Sequence, residues 1–302
     1  MAFVLDKENI KELILSGNID DYPEGIIVPI DKPYRWTSAD VIRKVKWCAC
    51  RHFHKKNLKV GHAGTLDPLA TGVLLVCIGK ATKMAEELQK HEKEYIAGIT
   101  FGATTPSYDL EKDIDQTYPT DGVSEAALRA ALPGFLGEQE QVAPLFSAKS
   151  VDGVRAYELA RKAWKKMGDV GEFDHSAVEM LNKQWINISE IELLRYCPEG
   201  LPEDSMEMEE ISSDVRADGT VNYHNGRINV TDNRALHLPH ADIRVACSKG
   251  TYIRALARDL GEALGSGAHL DGLRRTRTGG FEVSKALTIT QATDIFREAV
   301  SE

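Results

Sequence analysis

Residues 60–83, VGHAGTLDPLATGVLLVCIGKATK, enclose a single carboxylate, Asp67, among glycines, a proline and apolar residues. Two kinds of work suit it there. Asp before Pro68 and then LATGVLL reads as a helix start, with Asp67 as N-cap and proline at the first helical position. A carboxylate on a loop that follows a strand is also where acid–base or nucleophilic groups sit. Gly61 and Gly64 just ahead of it favour a sharp turn or a close approach, which a plain cap does not require. A second constellation, CACRHFH, sets Cys48, Cys50, His52 and His54 at alternate positions. All four are zinc-ligating types, but alternation suits one strand face while the preceding pattern reads as a helix end. Structural zinc also usually draws on two separated ligand pairs, so no metal is expected.

Charge adds a third signal. The 302-residue chain carries a net −9, yet residues 197–218 hold eight acids and one arginine, a local −7 that leaves about −2 for the rest. Residues 43–59, RKVKWCACRHFHKKNLK, hold seven Lys or Arg and no acid. Lys249, Arg254 and Arg258, with Arg274, Arg275 and Arg277 close behind, form a second basic cluster. A globally acidic chain can therefore present a basic face to phosphates, although solvated helix faces would look the same in sequence.

These residues need positioning elements. GIIVPIDKP reads as a buried strand closed by Pro33, and TSADVIRKVKWCA as a helix capped by Thr37 or Ser38. LLVCIG and EYIAGITFG are strand-like; in the latter Tyr95, Ala97, Ile99 and Phe101 share one face, which makes Tyr95 a core aromatic on periodicity alone. SEAALRAALPGFLG, capped by Ser124, and AYELARKAWKKM read as helices, and QWINISEIELL and DIRVACS as strands. In TYIRALARDLGEALG, Ile253, Leu256, Leu260 and Leu264 line one face and Gly265 follows the last turn. The N-terminal MAFVLDKENIKELILSG suggests a short amphipathic helix ended by Gly17. Strands and helices mix without a βαβ rhythm, which indicates an α+β fold with a mixed, mainly antiparallel sheet flanked by helices and loops. No apolar run reaches the roughly 18 residues of a membrane span, no secretory signal stands at the N-terminus, and five cysteines form no framework. The expectation is a cytoplasmic chain.

Five segments occur in one order: IDKPYRWTSADVIRKVK, KVGHAGTLDPLATGVLLVCIGKATK, KEYIAGITFGATTPSYDLE, FSAKSVDGVRAYELARK and CSKGTYIRALARDLGEALGSGAHLDGLRRTRTGGF. In this they resemble the TruB family of tRNA pseudouridine synthases, over roughly residues 25–162 and 184–290, and most closely its bacterial members. The resemblance implies the pseudouridine-synthase fold. It also implies isomerisation of the T-loop uridine (position 55) of tRNA without metal or organic cofactor. Uracil leaves its ribose, rotates, and rejoins through carbon 5. By the same resemblance Asp67 is the catalytic aspartate, acting as nucleophile or base, and Arg254 the cation that pairs with it. Tyr95 is the tyrosine stacked on the target base. His62 fills the gap left by the flipped-out nucleotide, Tyr252 and Leu273 wall the uracil pocket, Lys32 and Lys93 are candidates for phosphate contact, and Asp109 is structural or a helper.

The implied domain plan is an N-terminal extension (1–24), a catalytic domain (25–290) with insertions at about 163–183 and 197–238, and a C-terminal tail (291–302) without a PUA domain. The expected partner is the T-arm of tRNA, met by a monomer, with no membrane and no cofactor. Should Asp67 serve only as a cap, the alternative is a non-catalytic tRNA-binding or tRNA-folding chaperone. A guide-directed synthase is a further rival, whose members usually carry the PUA domain missing here.

Overall fold

The structure, a computed structural model, describes residues 2–11, 13–144, 150–151, 154–155, 183–201 and 228–298. The expected helix in AYELARKAWKKM and most of both insertions lie outside them. The chain divides into two compact units. Described residues of the first fall in Met1–Ile96 and Gly272–Glu302, with Ile228; those of the second fall in Ala97–Leu201 and Asn229–Asp271.

The first unit opens with β1 (Phe3–Val4), which runs parallel to β2 (Ile26–Lys32). The amphipathic helix expected over residues 1–17 is absent from the described residues of that range. Backbone bonds from Phe3 to Gly25 and from Leu5 to Ile27 extend the sheet instead and bury Leu5, while Ile14 is 93% exposed. Pairing with a neighbouring strand outweighs a weak helical period. Next comes α1 (Ser38–His52), begun by a capping box in which Thr37 and Asp40 satisfy each other's backbone amides. Strand β3 (Val60–Ala63) leads through the Asp67 loop into β4 (Ala70–Ile78).

This is the second departure from expectation: LATGVLL is a strand, not a helix. Every β4 residue is buried, so both faces are apolar and the run is continuous, a pattern that periodicity cannot tell from a buried helix. Antiparallel β2 lines one edge of β4 and antiparallel β3 part of the other, where Leu273–Arg275 pair in parallel with Ala70–Gly72. A short helix α2 (Ala85–Lys90) precedes β5 (Lys93–Phe101).

In the second unit β5 is followed by the small ladder of β6 (Ala103–Thr104) with β7 (Gln116–Thr117), then α3 (Glu125–Ala131), which Ser124 caps. Strand β8 (Gly137–Val142) and a two-residue pair, β9 (Ser150–Val151) with β10 (Val154–Arg155), precede β11 (Lys183–Cys197). Antiparallel β11 joins β8 to β12 (His240–Cys247), and β5 lies beside β12. Helix α4 (Ile253–Ala263) buries Ile253, Leu256 and Leu260, and Gly265 takes the left-handed conformation just beyond it. Strand β13 (Ala268–Thr278) starts in this unit and ends in the first, where β14 (Phe281–Glu282) pairs with it. Last is α5 (Ile289–Glu298), which packs on α1 through Phe296 against His52 and Phe53. The fold is α+β with mixed, mainly antiparallel pairing, as expected. No helix among the described residues is long and apolar enough to cross a membrane.

One contact constrains the loop strands severely. Gly72 has φ +99°, and a Cβ there would lie 2.1 Å from the Arg275 carbonyl oxygen. Gly72→Ala must strain the backbone and push β13 away from β4. We expect a loss of more than about 2 kcal/mol in urea unfolding, whereas Gly280→Ala, where a Cβ meets nothing, should cost far less.

Candidate active site

The loop Gly64–Leu69 hangs between β3 and β4 and is held from three directions within the first unit. From α1, the Ser38 hydroxyl donates to the Leu66 carbonyl (3.0 Å) and accepts from the Leu66 amide (2.9 Å). From the end of β2, Lys32 Nζ donates to the Pro68 carbonyl (3.2 Å), and also to those of Pro33 (2.9 Å) and Trp36 (2.6 Å). From β13, the Arg275 guanidinium donates to the carbonyls of Gly64 (3.1 Å), Thr65 (3.4 Å) and Val73 (2.7 Å). Gly64 itself has φ +92°, so its glycine serves the turn. Asp67, half-buried, sits at the tip of this pinned loop, and its carbonyl accepts from Ala70 N (3.1 Å) as the strand begins.

Lys32 was expected to touch phosphate. It is fully buried, with its ammonium given to three carbonyls, so its work is to anchor the loop. Burial pushes its pKa from 10.5 down to about 7; the Asp67 charge favours the ammonium and the Arg275 charge opposes it. Lys93 is similarly placed. Its buried ammonium donates to the carbonyls of Gln89 and His91, closing the turn between α2 and β5.

Three more expected residues lie in this unit. Leu273 pairs with Ala70, three residues from Asp67, and its carbonyl accepts from the Thr71 hydroxyl (3.5 Å). His62 stands on β3 opposite Val76. Burial and then the Arg275 charge lower its pKa, which keeps the imidazole neutral at pH 7. Tyr95 is buried on β5, on the face it shares with Ala97, Ile99 and Phe101.

The second unit holds Arg254 and Tyr252. Arg254, in the first turn of α4, is 4% exposed and donates through Nη1 to the Ser107 carbonyl (3.0 Å), with Nε 3.7 Å from an Asp109 carboxylate oxygen. Asp109 accepts from the Ser107 hydroxyl (2.6 Å) and the Glu111 amide (2.9 Å). The strained Tyr108 between them has φ +55° and lies under the Arg258 guanidinium. Tyr252, half-buried, occupies the N-cap position of α4 without a side-chain cap. Gln141 of β8 holds its backbone: its carbonyl oxygen accepts from the Tyr252 amide (2.9 Å) and its amide donates to the Tyr252 carbonyl (3.2 Å).

Sequence reasoning missed Gln141, Ser38 and Arg275 as positioning residues, and it read the second basic cluster wrongly. Arg254, Arg258 and Arg275 are buried, Arg274 is bonded to Asp31, and Arg277 to Glu92, so only Lys249 of that group is openly exposed. The alternating Cys and His do not converge either. Cys48 and His52 face inward on α1, His52 bonding the Ser16 carbonyl (3.0 Å), while His54 lies outside.

Comparison with known proteins gives two matching family descriptions. Residues 51–200 match the N-terminal domain of TruB family pseudouridylate synthase, and residues 254–302 match the tRNA pseudouridylate synthase B C-terminal domain. A tRNA pseudouridine synthase B of Phocaeicola vulgatus is 46% identical over 89% of this chain and 92% of its own length. The Bacteroides thetaiotaomicron protein of that name is 47% identical over 88% and 91%, and that of Thermus thermophilus 38% over 86% and 75%. Among solved structures, a Cbf5-Nop10-Gar1 complex aligns over 93% of this chain with a TM-score of 0.55 and 24% identity. A Nop10-Cbf5 complex of the archaeal box H/ACA sRNP aligns over 92% at 0.51 and 23%. The chain spans 61% and 55% of those two chains, and the likeness is one of fold.

Replacing Lys32 with methionine leaves the Pro33, Trp36 and Pro68 carbonyls without their donor and should cost about 2–4 kcal/mol in urea unfolding. The pH dependence has a definite sign. Between about pH 7 and 10.5 the unfolded chain holds the Lys32 proton that the folded chain has shed. Stability contributed at this position therefore rises with pH across that window, and the gap between wild type and K32M should widen there.

Proposed function

The chain belongs to the TruB family of pseudouridylate synthases, and from that premise we propose that it converts the T-loop uridine of tRNA, position 55, to pseudouridine. The enzyme class, a tRNA pseudouridine synthase, follows from relatives near 46% identity along nearly their whole length. The choice of the T-loop uridine rests on the motif resemblance.

In the proposed reaction the bond from ribose carbon 1′ to uracil nitrogen 1 breaks and a bond to carbon 5 forms. Carbon 5 loses a proton and nitrogen 1 gains one, so the isomerisation consumes nothing. Asp67 acts at the ribose as an ionised carboxylate, either as nucleophile or as base. Tyr95 stacks on the base and accepts or relays the carbon-5 proton. Leu273 and Tyr252 wall the uracil, and His62 takes the space of the flipped-out nucleotide, a filling that a neutral ring performs without introducing a buried charge. Arg254 is proposed as the cation for Asp67; its buried anchoring by Ser107 and Asp109 leaves it little freedom of position. The enzyme is expected to work in the cytoplasm, where tRNA is its substrate.

The observation that carries this reading is the loop itself. A carboxylate that merely starts a helix needs no buried lysine, arginine and serine to hold its backbone, and here no helix follows it. Pseudouridine formation on a T-arm transcript tests it. Wild type should convert the transcript, and Asp67→Asn should lose at least about 1000-fold in rate while binding tRNA within about threefold. If both proteins bind and neither converts, the chain is a tRNA binder and the proposal falls.

A further inference from the structure

Of the two basic clusters in the sequence, one is spent inside the molecule. The other stays outside. On α1, residues 43, 46, 47 and 51 share one face at helical spacing, and all four are exposed. Val41, Val45, Cys48, Ala49 and His52 take the opposite, buried face, and α5 packs against it. Trp47 is 53% exposed, and the Arg51 guanidinium lies over its ring, 4.7 Å from the centroid. An indole so placed offers a flat apolar surface backed by a cation, an arrangement suited to a sugar or an unstacked base beside a phosphate.

The acids near this face are few. Arg43 bonds Asp40, whose carboxylate is buried and already serves the helix cap, and the Arg43 side chain remains 72% exposed. Lys55 lies 3.9 Å from the exposed Asp20. Asp40 is the one acid in α1, about two turns or more before Trp47 and Arg51. In a chain of net −9, a face with this surplus of positive charge matches a polyanion.

Its placement completes the case. Ser38, in the first turn of α1, is bonded to Leu66, next to Asp67, so the helix starts at the candidate active loop. Fifteen residues carry it about 22 Å away. RNA held at Asp67 and continuing along α1 would meet Arg43 and Lys46 first, then Trp47 and Arg51.

We infer that the outer face of α1, formed by Arg43, Lys46, Trp47 and Arg51, is a docking surface for the sugar-phosphate backbone of the substrate RNA, away from the nucleotide being modified. This rests on the reading of the chain as a tRNA-modifying enzyme, and the experiment keeps the two apart. A full-length tRNA transcript is titrated against the full chain, as wild type and as R43A/K46A/R51A, over a range of KCl concentrations. The triple variant should bind about 10- to 100-fold more weakly near 0.1 M salt, and the slope of log Kd against log salt should fall by about two. Trp47→Ala should weaken binding severalfold with the slope retained, because stacking releases no counterions. R43K/R51K, which keeps the charges, should retain the wild-type slope. Equal affinity and slope in wild type and triple variant would overturn the docking surface, provided wild type forms pseudouridine on the same transcript. A loss as large in the lysine variant as in the alanine variant would also overturn it. Failure of wild type to form pseudouridine would instead strike the reading on which the inference rests.

Discussion

A buried guanidinium bonded to backbone carbonyls organises the first unit. Arg275 is 1% exposed and feeds the carbonyls of Gly64, Thr65 and Val73, tying the approach to Asp67 and the start of β4 to β13 with one side chain. A buried cation costs several kcal/mol unless its donors are met, so the loop carbonyls and the arginine require each other. Lys32 repeats the arrangement from β2, with three carbonyls around one ammonium. The two cations repel, and the Asp67 charge is the largest electrostatic influence favouring the charged form of Lys32.

The second unit secures its arginine by the opposite sign of partner. Arg254 meets a carboxylate, Asp109, and a carbonyl, Ser107 O, both supplied by a turn that places Tyr108 at positive φ. That turn is over-determined: Thr105 both donates to the Asp109 carbonyl (2.7 Å) and accepts from the Asp109 amide (3.1 Å), and Leu270 N bonds the Tyr108 carbonyl (3.0 Å). Strain in a non-glycine residue persists only where neighbours hold it, and here they do. Gln141 fixes the start of α4 from another strand, so the helix bearing Arg254 and its N-cap Tyr252 is positioned by side chains far away in sequence.

Much of this was legible before any coordinates. The capping residues Thr37 and Ser124, the β5 face with Tyr95, and the apolar stripe of α4 all follow from spacing, because each element satisfies its own local rule. The misreadings share a cause. Asp-Pro ahead of LATGVLL is a good helix start signal, but a strand buried on both faces carries the same continuous run. The N-terminal residues lost their helix to a strand pairing that sequence period does not reveal. The burial of Lys32, Lys93, Arg254, Arg258 and Arg275 is not legible in sequence, because carbonyl partners leave no compositional trace. Gly72 lets the β13 backbone pass, a demand that sequence period does not reveal.

This separation of inner from outer cations bears on how an acidic chain handles a polyanion. The salt dependence of nucleic-acid binding counts phosphates neutralised by accessible charges, not the lysines and arginines in the sequence. Five of the cations nearest the candidate site residues are buried and committed to carbonyls or carboxylates, where they fix geometry and contribute nothing to that count. Long-range attraction is left to surface groups such as those on α1, acting against a net charge that opposes it. Association should therefore depend on a few exposed residues much more than composition implies. The proposed chemistry at Asp67 would depend instead on buried groups that salt screens little. On the proposed reading, rate and affinity answer to different cations, which ionic strength can move independently.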